Sequence, residues 1–78
     1  MTVRAYILIE AAIGSVAQVA QELRRLPGVT AADVVAGPYD VIVTVEGETS
    51  EQVGHLVMGQ IHGIPGVNYT MTCVVVTE

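Results

Sequence analysis

The sequence predicts an α+β domain with the ferredoxin-like order βαββαβ, in which two helices cover one face of a four-stranded antiparallel sheet. Two observations predict this class. The run Leu-Pro-Gly-Val at 26–29 returns as Ile-Pro-Gly-Val at 64–67 in a chain of 78 residues. Each copy also contains a strand-like segment, a helix-like segment, the turn and a second strand. We therefore expect one structural unit used twice within a single domain, residues 1–78.

The first half of the chain predicts a strand, a helix and a second strand. Residues 3–10 are rich in β-branched and aromatic types and are short enough for a strand. From 15 to 26 the apolar residues follow the i, i+3, i+4, i+7 spacing that forms one stripe on a helix. Residues 29–36 then predict the second strand, and right-handed crossovers place it at an edge of the sheet.

The second half repeats this order after a hairpin at Gly37 and Pro38. Residues 40–46 alternate in the pattern of a strand. The next helix carries a single apolar stripe, formed by Val53, Leu56, Val57, Ile61 and Ile64. Residues 68–76 complete the sheet as its other edge strand.

Both helices have predicted start and stop signals. A hydroxyl residue followed three positions later by glutamine resembles a capping box, and proline followed by glycine ends a helix. The predicted boxes are Ser15 with Gln18 and Thr49 with Gln52; the stops are 27–28 and 65–66.

The face of the sheet away from the helices predicts self-association. In the first strand, Tyr6 and Leu8 alternate with the residues expected to face the helices. A domain of this size has a small core, yet 51% of its residues are hydrophobic. A second copy that covers the apolar sheet face would stabilise the dimer by about 25 cal/mol for each Å² of apolar surface buried. We expect sheet-to-sheet dimers resembling a dimeric α+β barrel, and higher homo-oligomers.

Composition excludes several classes of protein. The net charge of −5, with three basic residues against eight acidic ones, gives no cationic surface for nucleic acid. A membrane-spanning helix needs about 18 consecutive apolar residues, and no segment approaches that length. No secretory signal is evident either. We therefore expect a soluble cytoplasmic protein without nucleic-acid or membrane contacts. A single cysteine, Cys73, excludes an internal disulfide and is expected to be a core residue.

No motif for catalysis, metal binding or a cofactor is present. His55 and His62 lie about 10 Å apart along the second helix, too far for one ion, and are expected to be exposed. No Ser-His-Asp spacing, phosphate-binding glycine loop or paired-cysteine motif occurs. The sequence therefore predicts no enzymatic activity and no cofactor.

The turn between the two central strands is the candidate site. Structurally it is a hairpin turn, in which glycine tolerates positive φ and aspartate bonds nearby amides. Functionally, the turn and the hydroxyls of the last strand offer what a small zwitterion needs. These are hydrogen-bond donors for its carboxylate, an anion for its ammonium group and an apolar wall for its side chain. We expect the turn and the last strand to lie apart in one subunit, so that a neighbour completes the pocket. The candidate ligand-binding residues are Gly37, Tyr39, Asp40, Thr70 and Thr72.

These motifs together resemble the effector-binding (RAM) domain of the Lrp/AsnC feast/famine regulators over essentially the whole chain. The resemblance is carried by the opening segment 3–9, the two Pro-Gly-Val turns, the Gly-Pro-Tyr-Asp turn running into 41–43, and Thr-Met-Thr at 70–72.

The resemblance implies a ferredoxin-like fold, sheet-to-sheet dimers, rings of dimers, and free amino acids bound between dimers. It assigns Gly37, Tyr39 and Asp40 to the effector-binding turn, and Thr70 and Thr72 to the polar residues of the final strand. Regulators of this family carry an N-terminal helix-turn-helix, whereas here the first strand begins at Val3. The resemblance therefore implies a stand-alone member that binds amino acids or co-assembles with full-length regulators.

Three hypotheses follow. The first is an oligomeric amino-acid-binding module with a role in transcription regulation. The second is a small enzyme of the dimeric α+β barrel kind, such as a monooxygenase or isomerase, which needs a titratable group inside a cleft. The third is an assembly partner without a ligand of its own.

Overall fold

A computed structural model describes residues 2–77 and confirms the predicted fold class. A four-stranded antiparallel sheet has the order β2-β3-β1-β4, so that β2 and β4 form its edges. The second helix begins as an α-helix and ends in a π-helical turn at Val57–Ile61. The elements are β1 Val3–Ala11, α1 Val16–Arg24, β2 Val29–Val34, β3 Val41–Gly47, α2 Ser50–Leu56 and β4 Val67–Val74.

The core lies between the helices and one face of the sheet. Alternate residues of the two central strands are fully buried there, because strand side chains point to opposite faces in turn. The helices complete the core with the stripes that the sequence predicts. The fully buried strand residues are Ala5, Ile7, Ile9, Val41, Val43 and Val45; the helices contribute Val19, Leu23, Val53 and Ile61.

The repeated Pro-Gly-Val turn has the same backbone geometry in both halves. Gly28 has a φ of 94° and Gly66 a φ of 97°, a region that residues with a Cβ rarely adopt. The following valines also donate equivalent hydrogen bonds, from Val29 to the Leu26 carbonyl and from Val67 to the Ile64 carbonyl, both 3.2 Å. The internal repeat is therefore a structural repeat.

Each of these glycines also ties its own half to the other half. The Gly28 carbonyl accepts a hydrogen bond from the Glu46 amide at 2.9 Å, and the Gly66 carbonyl accepts one from the Ala12 amide at 2.7 Å. A Cβ on Gly66 would lie 2.9 Å from the Ser15 Cβ, closer than real Cβ atoms approach. The two turns thus hold the helices against the sheet.

Only one of the two predicted capping boxes forms. Thr49 accepts from the Gln52 amide at 3.1 Å, as predicted, while the Gln52 Oε1 accepts from the Glu48 amide at 2.8 Å. The box predicted at Ser15 is wrong, because the Ser15 side chain makes no capping hydrogen bond. The predicted elements otherwise match, although both edge strands end about two residues earlier than their patterns indicate.

The second face of the sheet, which we call the open face, is not covered by any helix. Tyr6 and Met71 are each 39% exposed there, and Tyr69 is 47% exposed. Leu8 and Ile42 lie between them as a half-buried cross-strand pair. The predicted bare apolar face is therefore present in the single chain.

Cys73 also lies on the open face, opposite Tyr6, and is exposed. The prediction that it is a core residue is wrong. The reason is register: Tyr69, Met71 and Cys73 of β4 point away from the helices, and a shift of one residue reverses the face of a strand side chain. None of the helices in residues 2–77 is long and apolar enough to cross a membrane.

Candidate functional site

The turn between β2 and β3 is fastened to the end of β1 by Asp40. Its amide donates to the Ile9 carbonyl at 2.9 Å, and its carboxylate Oδ2 accepts from the Ala11 amide at 2.9 Å. The Asp40 carbonyl in turn accepts from the Val35 amide, which closes the turn. Asp40 therefore holds the turn against β1, at the point where the register of β1 with β4 shifts.

Tyr39 reaches from this turn to the last strand. Its hydroxyl donates to the Met71 Sδ at 3.7 Å, and Met71 lies on the open face opposite Leu8. The expectation that the turn and the last strand lie apart within one subunit is therefore wrong for Tyr39. The tyrosine side chain is long enough to cross the end of the intervening strand β1.

Gly37 lies at the exposed tip of the same turn. Among the described residues, positive φ occurs at other glycines and not at Gly37, so the conformational reason given for this glycine does not apply. A Cβ at this position would meet no atom within 4 Å. The tip is open to a neighbouring molecule.

Thr70 and Thr72 lie on the opposite side of the sheet from the Tyr39 hydroxyl. They pair with the buried residues Ile9 and Ile7, and paired residues share a face, so both threonines lie on the helix side of β4. The structure thus brings Tyr39 and Asp40 together at one corner of the sheet. The two threonines flank Met71 along β4, but they lie on the other face of the sheet from the Tyr39 contact.

Thr70 has a partner that the sequence pattern did not indicate. Its Oγ1 lies 2.7 Å from the Nε2 of His62, and the hydrogen-bond direction depends on the imidazole tautomer. Both residues line a surface depression of about 350 Å³, which we call the polar pocket; its other lining residues are Val67, Asn68 and Tyr69. The prediction that both histidines are exposed is confirmed, but it missed this contact.

The π-helical turn brings His62 to this position. The His62 amide donates to the Val57 carbonyl at 3.0 Å, five residues back, instead of four as in an α-helix. Glycines, which are weak helix formers, stand at 54, 59 and 63, in and around this turn. Among residues 2–77, no three His, Cys, Asp or Glu side chains are grouped closely enough to hold a metal ion.

Comparison with known proteins places this geometry in one family. The family model described as "Lrp/AsnC ligand binding domain" matches residues 4–78. An uncharacterised HTH-type transcriptional regulator of Pyrococcus abyssi is 35% identical over 57 residues, which is 73% of this chain. The match spans 38% of that relative's length.

Solved structures show the same fold. A hypothetical protein from Pyrococcus horikoshii superposes with a TM-score of 0.90 at 34% identity, covering 97% of this chain and 92% of that protein. A Neisseria meningitidis transcriptional regulator in complex with L-Met superposes with a TM-score of 0.87 at 18% identity, covering 97% of this chain and 51% of that protein.

The family is a regulatory ligand-binding domain, and the curated relatives are named transcriptional regulators. These matches confirm the prediction that the domain is not an enzyme, and they leave the monooxygenase or isomerase hypothesis without support. Together with the sheet order, they confirm the resemblance drawn from the Pro-Gly-Val and Gly-Pro-Tyr-Asp turns. The chain belongs to the Lrp/AsnC ligand-binding domain family.

Proposed function

We propose that this domain binds a free amino acid in a site shared between subunits, and that binding controls the assembly of a transcription regulator. The observation that supports this proposal most strongly is the separation of the candidate residues. Tyr39 and Asp40 lie at the corner beside the open face, whereas Thr70 and Thr72 lie on the helix side of an edge strand. Because the two sets lie on opposite faces of the sheet, we expect a small ligand that contacts both to bridge two chains.

The side chains at the Tyr39 corner and on β4 complement the two charges of a zwitterion. Asp40 uses Oδ2 to accept from the Ala11 amide, and its other carboxylate oxygen can accept from an ammonium group. The hydroxyls of Thr70 and Thr72 can donate to a carboxylate. The ring of Tyr39 supplies an apolar wall, and Gly37 leaves room at the tip of the turn. We assign these five residues to the ligand site.

The open face supplies the first assembly contact of the proposal. Tyr6, Leu8, Ile42 and Met71 form an apolar surface on the central and edge strands, and a second copy would cover it sheet to sheet. In the resulting dimer the Tyr39 corners flank the buried face. Dimers would then join into higher oligomers through other surfaces.

Ligand binding and assembly are coupled in such an arrangement. A ligand that contacts two subunits favours the assembled state by its difference in affinity for the two states. The structurally similar Neisseria regulator, crystallised with L-Met, supports an amino acid as the ligand class. We place the protein in the cytoplasm, where free amino acids and the transcription machinery meet.

The test is a thermal-shift and calorimetric survey of the twenty amino acids. At least one should raise the unfolding temperature at millimolar concentration. Asp40→Asn keeps an acceptor for the Ala11 amide but removes the charge that faces the ammonium. Since a hydrogen bond to a charged group contributes about 1.5–3 kcal/mol, affinity should fall by about 10- to 100-fold.

Glu51→Gln, an exposed charge change in the first turn of α2, is the matched control and should bind like the wild type. A folded wild-type protein that no amino acid stabilises at millimolar concentration would refute the proposal.

A second proposed role is co-assembly with full-length regulators. The matched segment of the Pyrococcus abyssi relative is 38% of that protein, so domains of this type occur within longer regulators. Co-purification with a helix-turn-helix protein, unaffected by Asp40→Asn or by added amino acids, would favour this role over ligand binding.

A further inference from the structure

The internal repeat places equivalent residues on the two edge strands. An offset of 38 residues relates position 26 to position 64, and each edge strand begins at the valine of its Pro-Gly-Val turn. Each strand then has one extra residue at its second position, Thr30 in β2 and Asn68 in β4. Ala32 and Thr70 are therefore equivalent residues, and each pairs with a fully buried residue of a central strand.

The backbone carbonyls of these two residues point away from the sheet. In an antiparallel pair, residues alternate between pointing their N–H and C=O groups at the partner strand and pointing them away. The Val35 and Val75 amides each donate at 2.9 Å to a carbonyl on the inner side of their strand. Ala32 and Thr70 stand at odd spacings from these valines, so their carbonyls point outward.

In the first half of the chain, a guanidinium group occupies the outward carbonyl. Arg24, the last residue of α1, donates to the Ala32 carbonyl through Nε at 3.1 Å and through Nη2 at 2.8 Å. The guanidinium group is planar and holds its donors in a fixed fork, which suits two N–H groups to one oxygen. The edge at Ala32 is therefore a guanidinium site that the chain fills itself.

In the second half, His62 stands at the position equivalent to Arg24, again 38 residues later. Its imidazole is shorter, and its Nε2 lies 2.7 Å from the Thr70 hydroxyl oxygen instead of reaching the carbonyl. Among residues 2–77, no side chain donates to the Thr70 carbonyl. The polar pocket of about 350 Å³ lies beside these two residues, where the first half has its arginine.

We propose that the polar pocket binds the guanidinium group of a free arginine, which takes on Thr70 the place that Arg24 takes on Ala32. The Thr70 carbonyl and the Asn68 amide oxygen accept its N–H groups. Among the described residues no Lys or Arg lines the pocket, and the net charge of −5 attracts a cation. The inference rests on the proposed function and names arginine as its amino acid.

The remainder of an arginine molecule matches the ligand site proposed above. Thr72, a proposed partner of the ligand carboxylate, lies two residues beyond Thr70 on the same side of β4. Two strand residues span about 7 Å, a distance that the three methylene groups of arginine can cover. The carboxylate thus lies at Thr72 and the guanidinium group at the Thr70 carbonyl, while Asp40 of a neighbouring chain meets the ammonium group.

Titration calorimetry of the wild-type protein with arginine and with citrulline tests the inference. Citrulline has the length of arginine but carries a neutral urea group in place of the guanidinium group. Arginine should bind about 10-fold more tightly, because hydrogen bonds from a charged donor are stronger. Equal affinities for the two compounds would overturn the inference.

His62→Arg rebuilds in the second half the contact that Arg24 makes in the first. The new side chain should occupy the Thr70 carbonyl and weaken arginine binding by at least about 10-fold, as for the loss of a hydrogen bond from a charged group. His55→Arg makes the same change of charge at an exposed position of α2 and should bind arginine like the wild type. Wild-type affinity in a folded His62→Arg variant would contradict the assignment. The comparison with citrulline decides the question if that variant does not fold.

Agmatine, which is arginine without its carboxylate, separates this inference from the proposed function. It should bind more weakly than arginine, since the contacts at the threonine hydroxyls are lost. If agmatine binds as tightly as arginine, and His62→Arg weakens both, the guanidinium site stands and the amino-acid function fails. If a neutral amino acid such as leucine binds while arginine and agmatine do not, the function stands and the guanidinium site is refuted.

Discussion

The two faces of the sheet are built from alternate residues of the same strands, but only one is complete within the chain. On the helix side, Ile7, Ile9 and Val43 are fully buried. On the open face, Tyr6 and Met71 are each 39% exposed, and an ion pair joins Arg4 to Glu46 at 3.6 Å between neighbouring strands. The domain therefore needs one face to fold and has the other available for assembly.

Adjacent residues of β1 should show this difference most strongly. Ile7→Lys places a charge in the core, at a cost comparable to the whole stability of a small domain, so the variant should not fold. Leu8→Lys changes the open face and should leave the fold intact while preventing sheet-to-sheet association. Circular dichroism and sedimentation velocity would separate the two outcomes. Two folded variants with the wild-type mass would contradict the assignment of the faces.

The repeated turns should be the next most sensitive positions, because they hold the helices on the covered face. Alanine at Gly28 or Gly66 adopts the left-handed region at a cost of about 1–2 kcal/mol. Gly66→Ala should lose more, since its Cβ would lie 2.9 Å from the Ser15 Cβ, whereas the nearest atom to a Cβ on Gly28 is the Leu56 Cδ2 at 3.2 Å. Denaturant unfolding should therefore rank wild type, Gly28→Ala, then Gly66→Ala. The reverse order of the two variants would show that crowding at Gly66 is unimportant.

The two histidines should have unequal effects on ligand binding. His62→Ala removes the imidazole beside the Thr70 hydroxyl and leaves no side-chain group to replace its hydrogen bond, so we expect amino-acid affinity to fall by about 3- to 10-fold. His55→Ala, on the same helix and exposed, is the control and should bind normally. Titration calorimetry with the best amino acid compares them. Equal affinities for the two variants would remove His62 from the site.

The smallest effect is expected at the corner where the turn meets the open face. Tyr39→Phe removes the hydroxyl that contacts Met71 but keeps the ring. Because sulfur is a weak acceptor, the free energy of unfolding should change by less than about 1 kcal/mol. Thermal unfolding would measure this. A loss of several kcal/mol would mean that the contact holds the turn, a role we assign to Asp40.

The parts of this fold that depend on local pattern could be predicted from sequence. The alternation of apolar residues with period 2 predicted the central strands, and the apolar stripe that ends at Ile64 predicted the second helix. Pro65 and Gly66 marked the end of that helix, because proline and a left-handed glycine cannot continue it. The open face could also be predicted, because both helices pack on one face of the sheet and leave the other uncovered.

The contacts of the candidate site could not be predicted, because they depend on register and on a local irregularity. The side of β4 on which Cys73 lies changes with a shift of one residue, and the sequence of an edge strand does not specify that shift. His62 reaches Thr70 through a π-helical turn, whereas regular helical spacing directs it to solvent. The reach of Tyr39 across β1 depends on pairing between residues distant in sequence.

Sedimentation equilibrium of the unmodified chain at micromolar concentration tests the central claim most directly. If the open face is covered by a second copy, the measured mass should be that of a dimer or a multiple of it. A compact, folded monomer at that concentration would contradict the account, because no second chain would then be present to complete the amino-acid site.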